Sequence, residues 1–154
     1  MTTPPKLTPA IVLAGQSRVL RAFGDEVHIH LGAAETGGQF TMFTDFTPPG
    51  GGPPPHYHIH EDEWFHVLEG RAAFFKDGEW TEVPVGSTVF MPKGTLHTFK
   101  NVGDTPLKQL ITTAPAGFET YFARSGEEFT KPEGPDMKRL IEIAGEHGIV
   151  FPGM

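Results

Sequence analysis

One stretch of this 154-residue chain decides the fold, GGGPPPHYHIHEDEWFHVLEG, which runs from Gly50 to Gly70. Half of the eight histidines fall within eleven residues of this stretch: His56, His58, His60 and His66. A globular surface has no structural need for such crowding, so the function is to be sought here. The tract Pro48–Pro55 leads directly into these histidines, which favours an active-site loop over a linker between two domains.

The spacing of these side chains predicts a shared metal site. Alternate residues of a strand point to the same face and lie about 6.6 Å apart along it, so His56 and His58 can aim at one point. Glu63 follows after a turn and could return a carboxylate to the same interior, and His97 on a later strand could supply a third imidazole. Three neutral nitrogens and one carboxylate suit a divalent first-row transition metal and leave positions open for a substrate.

The other histidines are predicted to lie outside this site. His60 falls where the strand should turn, so we expect it in solvent. His66 is out of phase with Glu63 and should face away from the metal. His28 and His30 also form an H-x-H pair, but no glutamate follows at the right distance, so we assign them to the polar face of a half-buried strand.

Short alternating runs, separated by turn signals, recur along most of the chain and are typical of an all-β sandwich or barrel. The 19 glycines and 15 prolines argue against a helical bundle. Strands are predicted over 18–22, 27–31, 39–46, 64–69, 71–76, 79–83, 87–91, 96–101 and 107–113. Asp77-Gly78 is a hairpin-turn signal. The end of the chain predicts a short helix over 117–122 and an amphipathic helix that begins with Pro135 in its first turn and stops at Gly148.

Composition excludes several classes of protein. The formal net charge of −7 disfavours a nucleic-acid partner. The absence of cysteine excludes disulfides, thiolate nucleophiles and iron–sulfur clusters. The apolar run Ala10–Ala14 is too short to span a membrane and has no basic flank or cleavage pattern of a secretion signal. We therefore expect a soluble, cytoplasmic protein that binds neither nucleic acid nor a membrane.

Two motifs resemble those of the cupin superfamily, whose members are jelly rolls. The family pattern G-x5-H-x-H-x(3,4)-E-x6-G is matched by residues 50–70, and G-x5-P-x-G-x2-H-x3-N is matched by GSTVFMPKGTLHTFKN at 86–101. Every fixed position of both patterns is present. The resemblance implies an all-β cupin jelly-roll barrel or sandwich with a short C-terminal helix. Residues 1–154 would form a single cupin domain, with the barrel over about 18–114 and a helical extension over about 115–154.

The resemblance also implies the ligands of one divalent transition metal, which are His56, His58, Glu63 and His97. This donor set accepts iron, manganese, nickel, cobalt, copper or zinc according to supply, so the sequence does not name the metal. Glu63 would additionally act as a catalytic base toward a substrate hydroxyl, a dual use known in flavonol-cleaving members. Asn101 would have a structural role at the end of the second motif.

The amino-acid sequence of the motifs is similar to that of small single-domain cupins that are grouped with quercetin dioxygenases. That similarity implies a dioxygenase-type oxidoreductase that acts with O2 on an apolar or aromatic, oxygen-bearing small molecule. Two alternatives stay open, a non-enzymatic cupin that binds a small molecule or a metal and a metal-dependent isomerase. A phosphosugar isomerase ranks low because neither cationic phosphate anchors nor a paired acid and base can be placed. We expect a homodimer because a jelly roll leaves sheet edges to protect.

Strand parity predicts the side chains of the substrate pocket. Phe65 shares the face of Glu63, and Phe99 shares the face of His97. The opposite wall is assigned to one face of the strand over 39–46, formed by Phe40, Met42 and Phe46. The aromatic residues of the short helix either cover the barrel mouth as a lid or pack outside the barrel: Phe118, Tyr121 and Phe122.

Overall fold

A computed structural model describes residues 6–154, and over this range the chain forms eleven strands and three helices. The strands are β1 (Arg18–Ala22), β2 (Asp25–Leu31), β3 (Thr41–Thr47), β4 (Tyr57–His58), β5 (Asp62–Glu69), β6 (Ala72–Lys76), β7 (Glu79–Val83), β8 (Thr88–Met91), β9 (Thr98–Asn101), β10 (Leu107–Ala114) and β11 (Ile149–Val150). The helices are α1 (Ala33–Thr36), α2 (Phe118–Phe129) and α3 (Met137–Glu146).

The strands form a jelly roll, as predicted. The larger sheet has the antiparallel order β1-β2-β3-β10-β5-β8, and the smaller has the order β7-β6-β9. Some strands that pair with each other, such as β3 and β10, are far apart in the sequence. Long connections between paired strands are expected of this fold. A third, two-stranded ribbon pairs β4 with β11, so the C-terminal strand lies beside the histidine motif.

The core between the two sheets is aromatic. Phe43 and Phe65 face inward from the larger sheet, and Phe74 and Phe99 face inward from the smaller one, all of them buried. The Phe65 ring packs edge-on against Phe74 with 5.0 Å between ring centroids. Burial of each such side chain contributes about 1.5–3 kcal/mol, so these rings hold the sheets together.

The C-terminal helices differ in extent from the prediction. α2 begins at Phe118 but continues to Phe129, so the predicted end at 122 is wrong. Gly126 resembles a stop signal, but it serves close packing, because a Cβ there would lie 2.8 Å from the carbonyl oxygen of Arg21. In α3 the N-cap is Asp136, whose carboxylate accepts hydrogen bonds from two backbone amides, so Pro135 precedes the helix and does not occupy its first turn.

The hairpin between β6 and β7 turns at Asp77-Gly78, as predicted. Both residues have positive φ, 51° and 80°. A two-residue turn needs positive φ at both positions if its twist is to match that of the flanking strands. Within residues 6–154 no helix has the length and apolar character that crossing a membrane requires.

Candidate metal centre and its cavity

The structure brings the four predicted ligands together. His56 and His58 lie at β4, Glu63 lies near the start of β5, and His97 lies just before β9, and all four are buried. Their donor atoms lie within 4.8 Å of one another. Glu63 Oε2 is central to the group, at 3.1 Å from Nε2 of His58 and 3.1 Å from Nε2 of His97.

Backbone hydrogen bonds hold the short strand β4 from both sides. The amide of Gly94 donates to the carbonyl of His58 at 2.8 Å, which connects the turn before β9 to the ligand strand. On the other side, the amide of Ile59 donates to the carbonyl of Gly148 at 2.8 Å, at the start of the β4–β11 ribbon. The C-terminal strand therefore helps to position a ligand, which the sequence motifs did not indicate.

The Nδ1 atoms of the three histidines are engaged outside the site. Nδ1 of His56 and of His97 each donate to a carbonyl two residues earlier, at 3.0 and 2.8 Å. Nδ1 of His58 lies 3.3 Å from a carboxylate oxygen of Glu61. Outer partners of this kind fix the tautomer and the orientation of a metal-binding imidazole. The Nε2 atoms of His56 and His97 are therefore the ring nitrogens on the side of the cluster, where Nε2 of His97 lies 3.1 Å from Oε2 of Glu63.

The charges of the site are strongly coupled. Burial lowers the pKa of His58, but the carboxylates of Glu63 and Glu61 outweigh it and raise that pKa to about 10. Burial raises the pKa of Glu63, but its contacts with His58 and His97 outweigh burial and keep the pKa well below its ordinary value. Burial and the neighbouring His97 lower the pKa of His56 to about 4. Glu63 is thus ionised, and in the metal-free protein His58 holds a proton that a cation would replace.

The residues fit a metal ion. Nε2 of His58 is buried and has no aligned hydrogen-bond partner among residues 6–154, although Glu63 lies beside it. Buried polar atoms in proteins are normally satisfied by the protein, by water or by a bound ion. Three imidazoles and one carboxylate form a donor set that binds divalent transition metals. The cluster could therefore hold such a metal.

Three of the four ligands, His56, His58 and Glu63, lie on the wall of a cavity of about 170 Å³. Its lining is mainly aromatic and aliphatic and includes Phe65 and Phe99. The aromatic residues of α2 also line it, which supports the lid interpretation: Phe118, Tyr121 and Phe122. Phe118 stacks on Phe43 with 4.4 Å between ring centroids.

The loop over 48–56 borders the cavity through Gly52, Pro53 and Pro54. Gly52 has a φ of 149°, and a Cβ there would lie 2.0 Å from the carbonyl oxygen of Phe99. Only glycine allows the loop to approach β9 this closely. The loop is part of the site and not a linker.

The assignment of Phe40, Met42 and Phe46 to the pocket is wrong. The cavity is lined from β3 by Phe43 and Asp45, the residues of opposite parity. Phe46 lies on the outer face, with its ring centroid 5.0 Å from that of His28. Both faces of β3 carry apolar residues, so hydrophobicity alone did not decide which face is inside. The carboxylate of Asp45 made the true inner face resemble a solvated one.

Several cavity residues were missed by the sequence reasoning, and three of them matter for the chemistry of the site. Asp25 and Asp45 lie on β2 and β3, and Phe151 lies directly after β11. Asp45 alternates along β3 with Phe43 and Thr47, and this shared strand face was the sequence feature that indicates an inward position for Asp45. For Phe151 no sequence signal was available, because its position depends on the pairing of β11 with β4.

His60, His66 and His30 lie where the spacing predicted. His60 is exposed, and Nδ1 of His66 hydrogen-bonds to the hydroxyl of Thr88 at 2.8 Å, on the face away from Glu63. His30 lies between the hydroxyls of Ser17 and Thr44, outside the cluster.

Asn101 has a structural role. Its amide nitrogen donates to the carbonyls of Thr47 and Thr105, at 3.0 and 2.8 Å, and its amide oxygen accepts from the amide of Gly103 at 2.9 Å. It therefore joins the end of β3 to the turn after β9.

Comparison with known proteins gives matches over the same region. The Cupin domain family matches residues 46–113. Quercetin 2,3-dioxygenase of Bacillus subtilis is 27% identical over 127 residues, which cover 82% of this chain and 37% of that protein. An oxalate-binding protein of Thermotoga maritima is 32% identical over 63 residues, which cover 41% of this chain and 52% of that protein.

Among solved structures, an RmlC-like cupin from Shewanella frigidimarina superposes with a TM-score of 0.62 at 16% identity. The superposition covers 73% of this chain and 96% of the other. At that identity the likeness concerns the fold. The chain matches about a third to a half of the length of the two curated relatives.

Proposed function

Because this chain belongs to the cupin superfamily, we propose that it is a metal-dependent oxidoreductase of the dioxygenase type. Its substrate would be an apolar or aromatic small molecule with an oxygen that binds the metal, and O2 would be the co-substrate. One observation carries the proposal, which is that a cluster of three imidazoles and one carboxylate presents His56, His58 and Glu63 to a cavity whose other walls are mainly apolar. Such a cavity favours a flat, weakly polar substrate.

Each part of the site has a role in this proposal. His56, His58, Glu63 and His97 would hold the metal, which when bound supplies Lewis-acid and redox chemistry. The carboxylate of Glu63 also lines the cavity, where it would accept the proton of a substrate hydroxyl. The aromatic walls would orient the ring of the substrate and exclude water from it.

The Bacillus subtilis relative supports the reaction class, since its name assigns it a dioxygenase activity on quercetin. The cavity also disfavours the isomerase alternative for phosphorylated sugars, because neither lysine nor arginine lines it in the described part of the chain. A phosphate group would find no cationic partner there other than the metal.

A second candidate is a non-enzymatic binding protein. The oxalate-binding relative from Thermotoga maritima favours it, since that name assigns binding without a reaction. The size and apolar lining of the cavity favour the first candidate, because a small dianion such as oxalate would leave most of the apolar wall without contact.

Two measurements separate these candidates. Protein purified without a histidine tag is first analysed for metals, before and after reconstitution. A content below about 0.2 metal per chain in both states would contradict the metal-dependent function. O2 consumption by the reconstituted protein is then followed with flavonols, catechols and diketones.

Turnover with one of these classes, lost in His97→Ala and kept in His66→Ala, is the result expected for the dioxygenase. Full metal loading with ligand binding but without O2 consumption would support the binding protein instead.

A further inference from the structure

The cavity contains a second polar group besides the metal ligands. Asp25 at the start of β2 and Asp45 on β3 both line it. The hydroxyl of Thr47 donates to Oδ2 of Asp25 at 3.0 Å and lies 3.4 Å from Oδ2 of Asp45. Asp45 is only 4% exposed, which is rare for a carboxylic acid without a cationic partner.

Strand register separates Asp45 from the metal ligand Glu63 by one intervening layer of side chains. Three inward-facing layers follow one another across β3, β10 and β5, namely Thr41–Thr113–Glu63, Phe43–Ile111–Phe65 and Asp45–Gln109–Val67. The middle layer is entirely apolar. A molecule bound in the cavity could therefore meet the ligands at one end, the aromatic layer in its middle and the aspartate pair at the other end.

One oxygen of this pair has no partner. Oδ1 of Asp45 is buried and accepts no hydrogen bond from any residue among 6–154. Its cross-strand neighbour Gln109 is fully buried too, with both amide atoms unpaired. Buried polar atoms are normally satisfied by the protein, by water or by a ligand. Burial and the neighbouring carboxyl of Asp25 hold the pKa of Asp45 well above its ordinary value.

We propose that Asp25 and Asp45 form a recognition subsite that accepts a hydrogen bond from a hydroxyl group of the substrate. This inference rests on the proposed function, because it assumes that the cavity holds the substrate. It narrows the substrate class to an aromatic molecule with a metal-binding oxygen at one end and a hydroxyl at the other. A substrate without the second hydroxyl would leave Oδ1 of Asp45 unpaired and bind less tightly.

Two flavonol probes test the subsite directly. 3-Hydroxyflavone has the metal-chelating oxygens but no distal hydroxyl, and 3,4′-dihydroxyflavone adds one hydroxyl at the far end. Dissociation constants of both are measured by calorimetry with the metal-loaded, anaerobic protein. We expect the dihydroxy probe to bind about tenfold tighter, because a hydrogen bond to a carboxylate contributes that much when it replaces an unsatisfied oxygen.

Substitutions of Asp45 test whether the aspartate pair causes the difference in affinity between the two probes. Asp45→Leu should bind both probes equally, and Asp45→Asn should keep a reduced preference because its amide oxygen still accepts. The matched control Asp104→Asn makes the same change at an exposed position and should behave as the wild type. Metal content and thermal unfolding of each variant show that it folds, and if Asp45→Leu does not fold, Asp45→Asn carries the test.

The outcomes separate the two proposals. Equal binding of both probes to the wild type, or an unchanged preference in the Asp45 variants, would overturn the subsite while leaving the proposed function in place. In that case a buried water satisfies Asp45. Failure of both probes to bind the metal-loaded protein would also overturn the subsite, because it requires a hydroxylated aromatic molecule to fit the cavity, and the proposed function would then be decided by O2 consumption with catechols and diketones.

Discussion

His56 and His97 lie opposite each other in a two-way backbone bridge. The amide of His56 donates to the carbonyl of His97 at 3.0 Å, and the amide of His97 donates to the carbonyl of His56 at 2.9 Å. Their imidazole centroids are 4.6 Å apart. The fold thus joins the two motifs through the backbone of two predicted ligands, and both hydrogen bonds are independent of the side chains.

Removal of either imidazole should therefore remove the metal and not the fold. We expect His56→Ala and His97→Ala to lose at least about tenfold in metal affinity, while the bridge and the aromatic core keep the sheets together. Metal analysis and circular dichroism check both expectations. His66→Ala is the matched control, since His66 bonds to Thr88 outside the site. Full metal content in His56→Ala or His97→Ala would refute the ligand assignment.

Metal affinity should rise with pH. Because the Glu63 carboxylate raises the pKa of His58 to about 10, His58 is protonated at pH 7 in the metal-free protein. A metal must displace that proton, so the apparent affinity should increase about tenfold per pH unit between pH 7 and 9. Calorimetry in buffers of different ionisation enthalpy should detect about one proton released per metal bound. Affinity that does not change over this range would contradict the protonated state.

The same proton affects the stability of the metal-free protein. The folded-state pKa of His58 lies above its ordinary value of 6.5, so its contribution is complete below pH 6.5 and is lost as the pH rises through about 10. The metal-free protein should therefore unfold at a lower urea concentration at pH 10 than at pH 7. The metal-loaded protein should show a smaller loss, because its His58 is already neutral.

Asp45 should reduce the stability of the metal-free protein at neutral pH. Burial and Asp25 raise its pKa above the ordinary 3.8, so the folded protein favours the protonated carboxyl. The stability is therefore highest below pH 3.8, and the free energy of unfolding falls as the pH rises through the raised pKa. Asp45→Asn should be more stable than the wild type at pH 8, and this difference should shrink toward pH 4. Urea unfolding measures the difference, with Asp104→Asn as the control. A difference that is independent of pH would show that ionisation of Asp45 is not its cause.

Phe151 should contribute to ligand binding without contributing to metal binding. Its ring lies on the cavity wall with its centroid 5.4 Å from that of His56. Phe151→Ala should weaken the binding of 3-hydroxyflavone about tenfold, through lost apolar contact, at unchanged metal content. Phe90→Ala, which removes an exposed ring outside the cavity, should change neither quantity. Equal weakening in both variants would show that the effect is not local to the cavity.

The sequence predicted the metal ligands well because their chemistry requires fixed spacing. Two imidazoles that converge from one strand must be two residues apart. The same reasoning failed for Phe40, Met42 and Phe46. No predicted metal ligand lies on β3 to mark its inner face, and both faces of this strand carry apolar side chains. It also missed β11, because the sequence of this two-residue strand does not indicate which strand it pairs with.

By itself, then, the sequence determined the all-β class, the two motifs and the four residues that could hold a metal, because each follows from local spacing along the chain. Only the tertiary structure decided the rest of the cavity. Asp45 lies on the same inner face as Glu63 because β10 sets the register between β3 and β5. Phe151 lies beside His56 because β11 pairs with β4. Such contacts between distant segments depend on strand pairing, which no local pattern encodes.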